Sequence, residues 1–247
     1  MQDADTETNA FFNHFGNDKP TCVGHWLTRR FARRLFEFSG AGSESEVLEI
    51  GPGRGDFARI CLNTVARYHA VEPNARLADA LAQSGAEVTR AVVPPLPPVK
   101  GVFDVVVMVN VMEHMDSMNN ALTLTRQIFD VLKPNGRFVV CSPDYLNWRH
   151  HFYDCDFSHN FVTTARRLEQ LMLNAGFIHV RTRYVGALLG GWPCLLSTAF
   201  VSRLPFGALS AYVRRNRVFF KLYKMQLALL RKVWVIAQKP GPFVDAP

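Results

Sequence analysis

The run Glu46-Val47-Leu48-Glu49-Ile50 is short and apolar, Gly51-Pro52-Gly53-Arg54-Gly55 follows it directly, and helical spacing of apolar residues resumes from Phe57 to Arg67. A strand passing through a glycine turn into a helix is the first half of a β–α–β unit, which commits the chain to a parallel sheet. Glycines at such a turn let backbone amides approach a ligand, toward which the helix N-terminus also points its free N–H groups.

The alternation continues along the chain. Tyr68 to Val71, Ala86 to Val93, Phe103 to Val109, Gly136 to Cys141, Phe177 to Tyr184 and Lys232 to Ala237 read as further strands. His25 to Phe38, Ala75 to Ser84, Asn120 to Leu132 and Thr163 to Ala175 read as helices, the last ended by Gly176. Phe103 to Val109 is too apolar for an exposed strand, and the proline-rich segment after Val93 stops the third one. This pattern predicts an α/β, doubly wound sheet with helices on both faces. A length of 247 residues suits one large domain with an appended element.

Two acids flank the glycine turn. Glu49 ends the first strand, and Glu72 ends the second about 20 residues after the glycines, where a carboxylate can accept hydrogen bonds from both ribose hydroxyls of a nucleoside. Asp56 stands where the dinucleotide fingerprint requires its last glycine, and no Gly-Lys-Ser/Thr ending follows. The ligand expected is an adenosine without a phosphate chain, which argues against a nicotinamide oxidoreductase.

With these residues in view, VLEIGPGRGDF resembles the first motif of the class I S-adenosylmethionine-dependent methyltransferases, and YHAVEPN resembles their second-strand motif. FDVVVMVNVMEHM and LKPNGRFVVCSPD are similar to the fourth- and fifth-strand segments of the methyltransferase type 11 group, which includes the quinone-biosynthesis enzymes. The resemblance implies a Rossmann-like seven-stranded sheet, mostly parallel with the last strand antiparallel. It implies S-adenosylmethionine as cofactor and S-adenosylhomocysteine as product. Gly51, Gly53 and Gly55, with Pro52 among them, would pass under the methionine part, and Glu49 would sit near its amino group. Glu72, followed by Pro73, would hold the ribose, and Asn110 and Val111 would flank the ligand. Where relatives often carry an acid toward the adenine amine this chain has Val92 or Val93, so backbone contact alone is expected there.

Methyl transfer from a sulfonium is an in-line displacement, so the protein must align the acceptor and, for a hydroxyl, help remove its proton. His114, just past the fourth strand, is one candidate base, although such a histidine can equally cap its loop by hydrogen bonding. His159 is the second, in the loop HHFYDCDFSH that follows the fifth strand and that in similar enzymes lies over the acceptor. Three histidines, two aspartates and a cysteine there are metal-ligand types, but their spacing matches no closed structural site, and no metal is expected.

Residues 170–247 hold eleven Lys or Arg against one acid, Asp245, although the whole chain carries only +7. A local cationic region points to an anionic partner. The segment 185–231, where a tight hairpin is usual in the resembled family, is instead a long insertion. Tyr184 to Ser202 lacks charge, but Gly190, Gly191 and Pro193 make it a poor spanning helix. In the following stretch Arg214, Arg217, Lys221, Lys224 and Arg231 share one helical face, with Val218, Phe219, Phe220, Leu222, Tyr223, Leu227 and Leu230 over the rest. Residues 207–231, with this helix at 211–231, therefore read as resting on an anionic membrane surface, or as a lid over the acceptor pocket. Nucleic acid is disfavoured, since no recognised binding module is evident.

The N-terminus is acidic and without an apolar stretch, so no signal peptide is read, and the scattered odd cysteines argue against a disulfide framework. A cytoplasmic protein, peripheral to the inner face of a membrane, is expected. The domain organisation expected is a lid and helix at 1–45, with Phe11, Phe12, His14 and Phe15 as an aromatic lid or as a staple of the N-terminus to the core, and a cofactor-binding domain at 46–247. The function expected is O-methylation of a small, hydrophobic or lipid-linked acceptor. The alternative is a non-catalytic S-adenosylmethionine-binding module that serves as the partner of another enzyme.

Overall fold

A computed structural model describes residues 21–213 and 217–242, without the side chain of Arg217. The aromatic tract Phe11 to Phe15, Arg214 and Asp245 lie outside the described residues.

The first described helix, α1 (Cys22–Ser39), starts at Thr21, whose hydroxyl accepts from the Gly24 amide at 3.1 Å, and ends at Gly40 with φ 67°. There follow β1 (Glu46–Ile50), α2 (Ala58–Cys61), β2 (Arg67–Val71), α3 (Ala75–Gln83), β3 (Glu87–Thr89), β4 (Phe103–Val109) and a single 3-10 turn (Met112–His114). Next come α4 (Met118–Val131), β5 (Leu132–Pro143), the short α5 (Tyr145–Trp148) and α6 (His151–Asp154), α7 (Ala165–Asn174) and β6 (Ile178–Val185). Three helices, α8 (Gly191–Val201), α9 (Phe206–Tyr212) and α10 (Arg217–Leu229), precede β7 (Lys232–Gln238).

The seven strands lie in the order β3-β2-β1-β4-β5-β7-β6, with β7 antiparallel to both neighbours and the other pairings parallel. The predicted sheet, its antiparallel last strand and its helical insertion are all present. Both faces are buried, and β4 shows how: Val106 and Met108 pack with α4 and α7, while Val105 and Val107 pack with α1 and α2. Alternation along a strand thus becomes two cores.

The order changes direction between β1 and β4, where Glu49 pairs in register with Ala70 of β2 and Val107 of β4. The glycine turn after β1 therefore opens at the carboxyl edge of the sheet, at its topological switch point.

Three local expectations need correction. The helix expected from Phe57 to Arg67 shrinks to α2, because the Asn63 side chain donates to the Arg59 carbonyl at 2.6 Å and the Ala66 amide turns back to Ser45. The strand expected from Ala86 to Val93 ends at Thr89, and Ala91 to Val93 instead line the main cavity. The helix expected over 211–231 is interrupted at Val213, between α9 and α10, and its apolar residues do not share a face. Tyr223 and Leu230 are buried, while Val218, Phe220 and Met225 are exposed. The run 191–212 has the length and apolar composition to cross a bilayer, yet it is broken between Val201 and Phe206 and buries Cys194 and Thr198 against the body.

Candidate active site

The glycine turn is shaped by two demands. Gly51 has φ +69°, and a Cβ there would meet Val111 Cγ2 at 2.4 Å, so the turn closes directly onto the end of β4. Gly53, at φ +54°, would meet nothing within 4 Å, and its face is open to the cavity. Its amide donates to Glu72 Oε2 at 3.0 Å, and the Asn74 amide donates to Glu72 Oε1 at 2.9 Å. One buried carboxylate thus ties the glycine turn to the start of α3. Gly55 differs from the other two: it is absent from the cavity wall, and a Cβ there would strike Leu81 Cδ2 at 2.7 Å. Packing against Leu81 of α3 is what requires glycine there.

Glu49 lies under the turn, with Tyr68 donating its hydroxyl to Oε2 at 2.6 Å. Burial pushes its carboxyl up to about 8, and burial also raises Glu72. Both acids face a cavity of about 650 Å³ that extends along the carboxyl edge to Pro52, Pro73 and Val92 on one side and Asn110, Val111 and His114 on the other. Of the ten cofactor residues predicted, Gly55 alone stands off this wall. The far wall comes from Phe31 of α1 and from Ala187, Leu227 and Leu230 of the insertion. A space of this size suits a small-molecule ligand largely enclosed by protein. The donor set fits S-adenosylmethionine: buried carboxylates for an ammonium and for ribose hydroxyls, and an unfilled glycine face.

Asn110 ends β4 at φ 53°, a left-handed conformation that asparagine tolerates better than most residues. Its Oδ1 accepts from Lys232 Nζ at 3.1 Å, joining β4 to β7 across the cavity mouth.

Forty-five positions apart in sequence, His114 and His159 meet with ring centroids 4.9 Å apart. The Glu113 carbonyl draws them together by accepting the amides of Asn160 and Phe161, each at 3.0 Å, which pins the loop after α6 onto the turn after β4. His159 Nδ1 lies 2.6 Å from the Phe152 carbonyl, which only accepts, so Nδ1 carries the proton and Nε2 is the basic nitrogen. Burial lowers the pKa of this ring, keeping it neutral near pH 7. His114 Nδ1 lies 2.7 Å from Ser158 Oγ, which lies 2.6 Å from Asp156 Oδ1. Burial would raise Asp156, but the Ser158 hydroxyl and amide outweigh it and hold the carboxyl below its usual range. The serine therefore donates to the aspartate and accepts from Nδ1–H, so His114 too has Nε2 as its basic nitrogen.

Glu113, Ser158 and Lys232 were not singled out from sequence, and Asp156 was noted only as one of two aspartates in the loop HHFYDCDFSH. Glu113 is fully buried, accepts from Ser142 Oγ at 3.0 Å through Oε2, and is pushed up to about 7 by burial. A charged residue inside the apolar tract from Val111 to Met115 was the available signal.

A doubly wound sheet with this strand order and a nucleoside-sized cavity at its switch point defines a protein that works on or with a small adenosine-containing molecule. Residues 23–181 match Methyltransf_23, described as a methyltransferase domain, and the chain belongs to that family. It is an S-adenosylmethionine-dependent methyltransferase with a Rossmann-like fold. No curated protein matches it significantly. Among solved structures, a SAM-dependent methyltransferase of Thermotoga maritima is 20% identical, with TM-score 0.59, covering 93% of this chain and 98% of that one. The protein complexed with the Haloferax volcanii Trm112 methyltransferase activator is 14% identical, with TM-score 0.62 and coverages of 96% and 95%. The N-methyltransferase NodS of Bradyrhizobium japonicum, bound to S-adenosylhomocysteine, is 16% identical, with TM-score 0.56 and coverages of 86% and 85%.

Proposed function

We propose that this enzyme methylates a hydroxyl oxygen of a small, hydrophobic or lipid-linked acceptor at the cytoplasmic surface of an anionic membrane. The observation that carries this reading is one continuous cavity running from the glycine turn, past His114, to the underside of the helical insertion. Cofactor and acceptor ends meet within it.

S-Adenosylmethionine supplies an electrophilic methyl group on a sulfonium. Glu49 would hold its ammonium, Glu72 its ribose and the backbone at Val92 its adenine, with Asn110 and Val111 flanking it. At the acceptor end, His114 on the cavity wall, or His159 in the smaller adjoining cavity, takes the hydroxyl proton on Nε2. The oxygen lone pair forms the new C–O bond as the C–S bond breaks, and that electron pair stays on sulfur. A methyl ether, S-adenosylhomocysteine and an imidazolium result. Two histidines with Nδ1 committed elsewhere support this role for oxygen acceptors, whose proton must leave.

The insertion supports the location. On α8, Trp192, Leu196 and Phe200 fall one turn apart and are 72%, 65% and 70% exposed, forming an apolar stripe open to solvent. Lys221 and Lys224 are exposed on α10, and no acid occurs between Tyr184 and Gly241. An apolar stripe with cations and no carboxylate complements an anionic lipid surface.

The test combines tritium-methyl transfer to a panel of hydrophobic phenols, lipid-linked hydroxyls, sugars and amines with sedimentation on phosphatidylglycerol vesicles. Expected are turnover on a hydrophobic hydroxyl, a kcat about 100-fold lower in His159→Gln, and vesicle binding that weakens at raised salt. Turnover on amines alone would overturn the oxygen assignment, and no sedimentation at any salt would overturn the membrane assignment.

A further inference from the structure

The histidine pair has a third neighbour that proton removal does not use. Glu113 Oε1 is buried and has no hydrogen-bond partner, while its other oxygen takes the Ser142 hydroxyl. A buried carboxylate oxygen without a donor is costly, and such atoms in a folded protein usually await a ligand or an ion. One candidate ligand atom each from Glu113, His114 and His159 lies within 4.8 Å of the others. Donors this near can close around a single small cation by modest rotation of their side chains.

The surroundings match as well. A metal-binding histidine commonly engages its second ring nitrogen with a carbonyl or carboxylate, which fixes the tautomer and strengthens the ligand. Here His159 donates to the Phe152 carbonyl, and His114 donates to Ser158, itself bonded to Asp156. The second cavity, lined by Glu113, His114, Asp156 and His159, shares Asn110, Trp148 and Lys232 with the cofactor cavity. Lys232, the cation on this shared wall, is directed to Asn110 Oδ1.

We propose that Glu113, His114 and His159 form a mononuclear site for a divalent transition ion of the zinc class, open on the side of the acceptor cavity. Two imidazoles and one carboxylate suit a borderline ion, and three protein ligands leave a position for an exchangeable oxygen donor, the arrangement of catalytic rather than structural zinc. The expectation of no metal followed from spacing within the loop HHFYDCDFSH. The site now proposed takes only His159 from that loop and its other two ligands from the turn after β4. Its catalytic use rests on the oxygen-acceptor reading: an ion here would bind the acceptor hydroxyl and lower its pKa, and the two histidines, then bound through Nε2, would act as ligands in place of a base while the proton passes to solvent water.

The experiment uses the full chain treated with chelator, then titrated with Zn²⁺ by calorimetry and with Co²⁺ by visible absorption, alongside S-adenosylhomocysteine titration and thermal melts. One equivalent should bind, with Co²⁺ bands of a four- or five-coordinate nitrogen–oxygen site. Glu113→Gln and His159→Gln should each weaken binding by about 100-fold. Because Glu113 is fully buried, the partly exposed His114→Gln provides a second ligand variant that does not depend on core packing. Failure of both ions to bind, binding indifferent to all three substitutions, or Co²⁺ spectra dominated by thiolate charge transfer would overturn the site. Retained S-adenosylhomocysteine binding in that case would leave the methyltransferase reading standing, whereas its loss from a folded chain would strike that reading instead.

Discussion

The cofactor end and the acceptor end of this molecule treat buried polar groups differently. Around the glycine turn, Glu72 uses both oxygens on backbone amides and Glu49 is held by Tyr68, so the half that meets an invariant cofactor is organised in advance. Among the described residues, four buried side-chain atoms have no partner, and three of them, Glu113 Oε1, His151 Nδ1 and Gln226 Oε1, lie on the acceptor side or against the insertion. A preorganised site costs nothing at the moment of binding, whereas unpaired groups are completed by something that arrives. The contrast sets a rigid half at the cofactor end against a less completely paired half at the acceptor end.

The strongest challenge to this contrast is Glu72→Ala. It removes the shared acceptor of the Gly53 and Asn74 amides, and each deserted amide costs on the order of 1–3 kcal/mol. S-Adenosylhomocysteine affinity should fall by about 100-fold or more. A calorimetric loss under about fivefold would mean that the cofactor end is not organised through this carboxylate.

Gly51→Ala should have the next largest effect. A side chain at φ +69° costs on the order of 1–3 kcal/mol, and the new methyl would collide with Val111. Cofactor affinity should drop about tenfold, with a lowered melting temperature. Adding Val111→Ala should restore the contact component and leave the backbone component, a double-mutant cycle that separates the two. Full recovery would show that backbone conformation is not what requires glycine here.

How much of this was readable beforehand follows the same division. The cofactor end rests on residues close in sequence to a strand end, so the glycine turn and Glu72 could be picked out from spacing, and the role of Glu49 followed from the family resemblance. Asn110 and His114 follow β4 at fixed offsets. Glu113 was hidden because a lone carboxylate between Met112 and His114 carries no spacing signal, and its significance depends on Asn160 and Phe161, 47 and 48 residues later, folding back onto its carbonyl. Gly55 was assigned to the ligand because three glycines in one turn look equivalent, and only the position of Leu81 tells them apart. The insertion was legible in composition but not in form. The spacing of Val218 to Leu230 suggested one apolar face, while the packing of α10 on the body took Tyr223 and Leu230 inward and left Phe220 and Met225 outside.

A smaller effect should come from pH. Burial raises Glu49 to about 8, so in the free protein it holds a proton at neutral pH that the unfolded chain, titrating near 4.5, would have released. Its contribution to stability is present below that unfolded value and is lost as pH rises through about 8. A bound ammonium favours the carboxylate and lowers its pKa, so binding expels the proton. S-Adenosylhomocysteine affinity should therefore rise several-fold between about pH 7 and 8.5, never more than tenfold per unit. The rise should flatten in Glu49→Gln, and equal slopes in the two proteins would place the ammonium elsewhere.

The smallest expected effect is the most useful for the other half. Replacing Trp192, Leu196 and Phe200 by serine alters three exposed side chains on a helix whose inward face seats Cys194 and Thr198. Exposed positions seldom move stability by more than about 0.5 kcal/mol, so melting temperature and cofactor affinity should stay where they are while vesicle sedimentation is lost. A large fall in melting temperature would mean that the stripe packs on something in the folded protein and is not held out for lipid. If cofactor affinity fell with it, the insertion would belong to the preorganised half, and the division between a rigid cofactor end and an acceptor end completed from outside would have to be redrawn at α8.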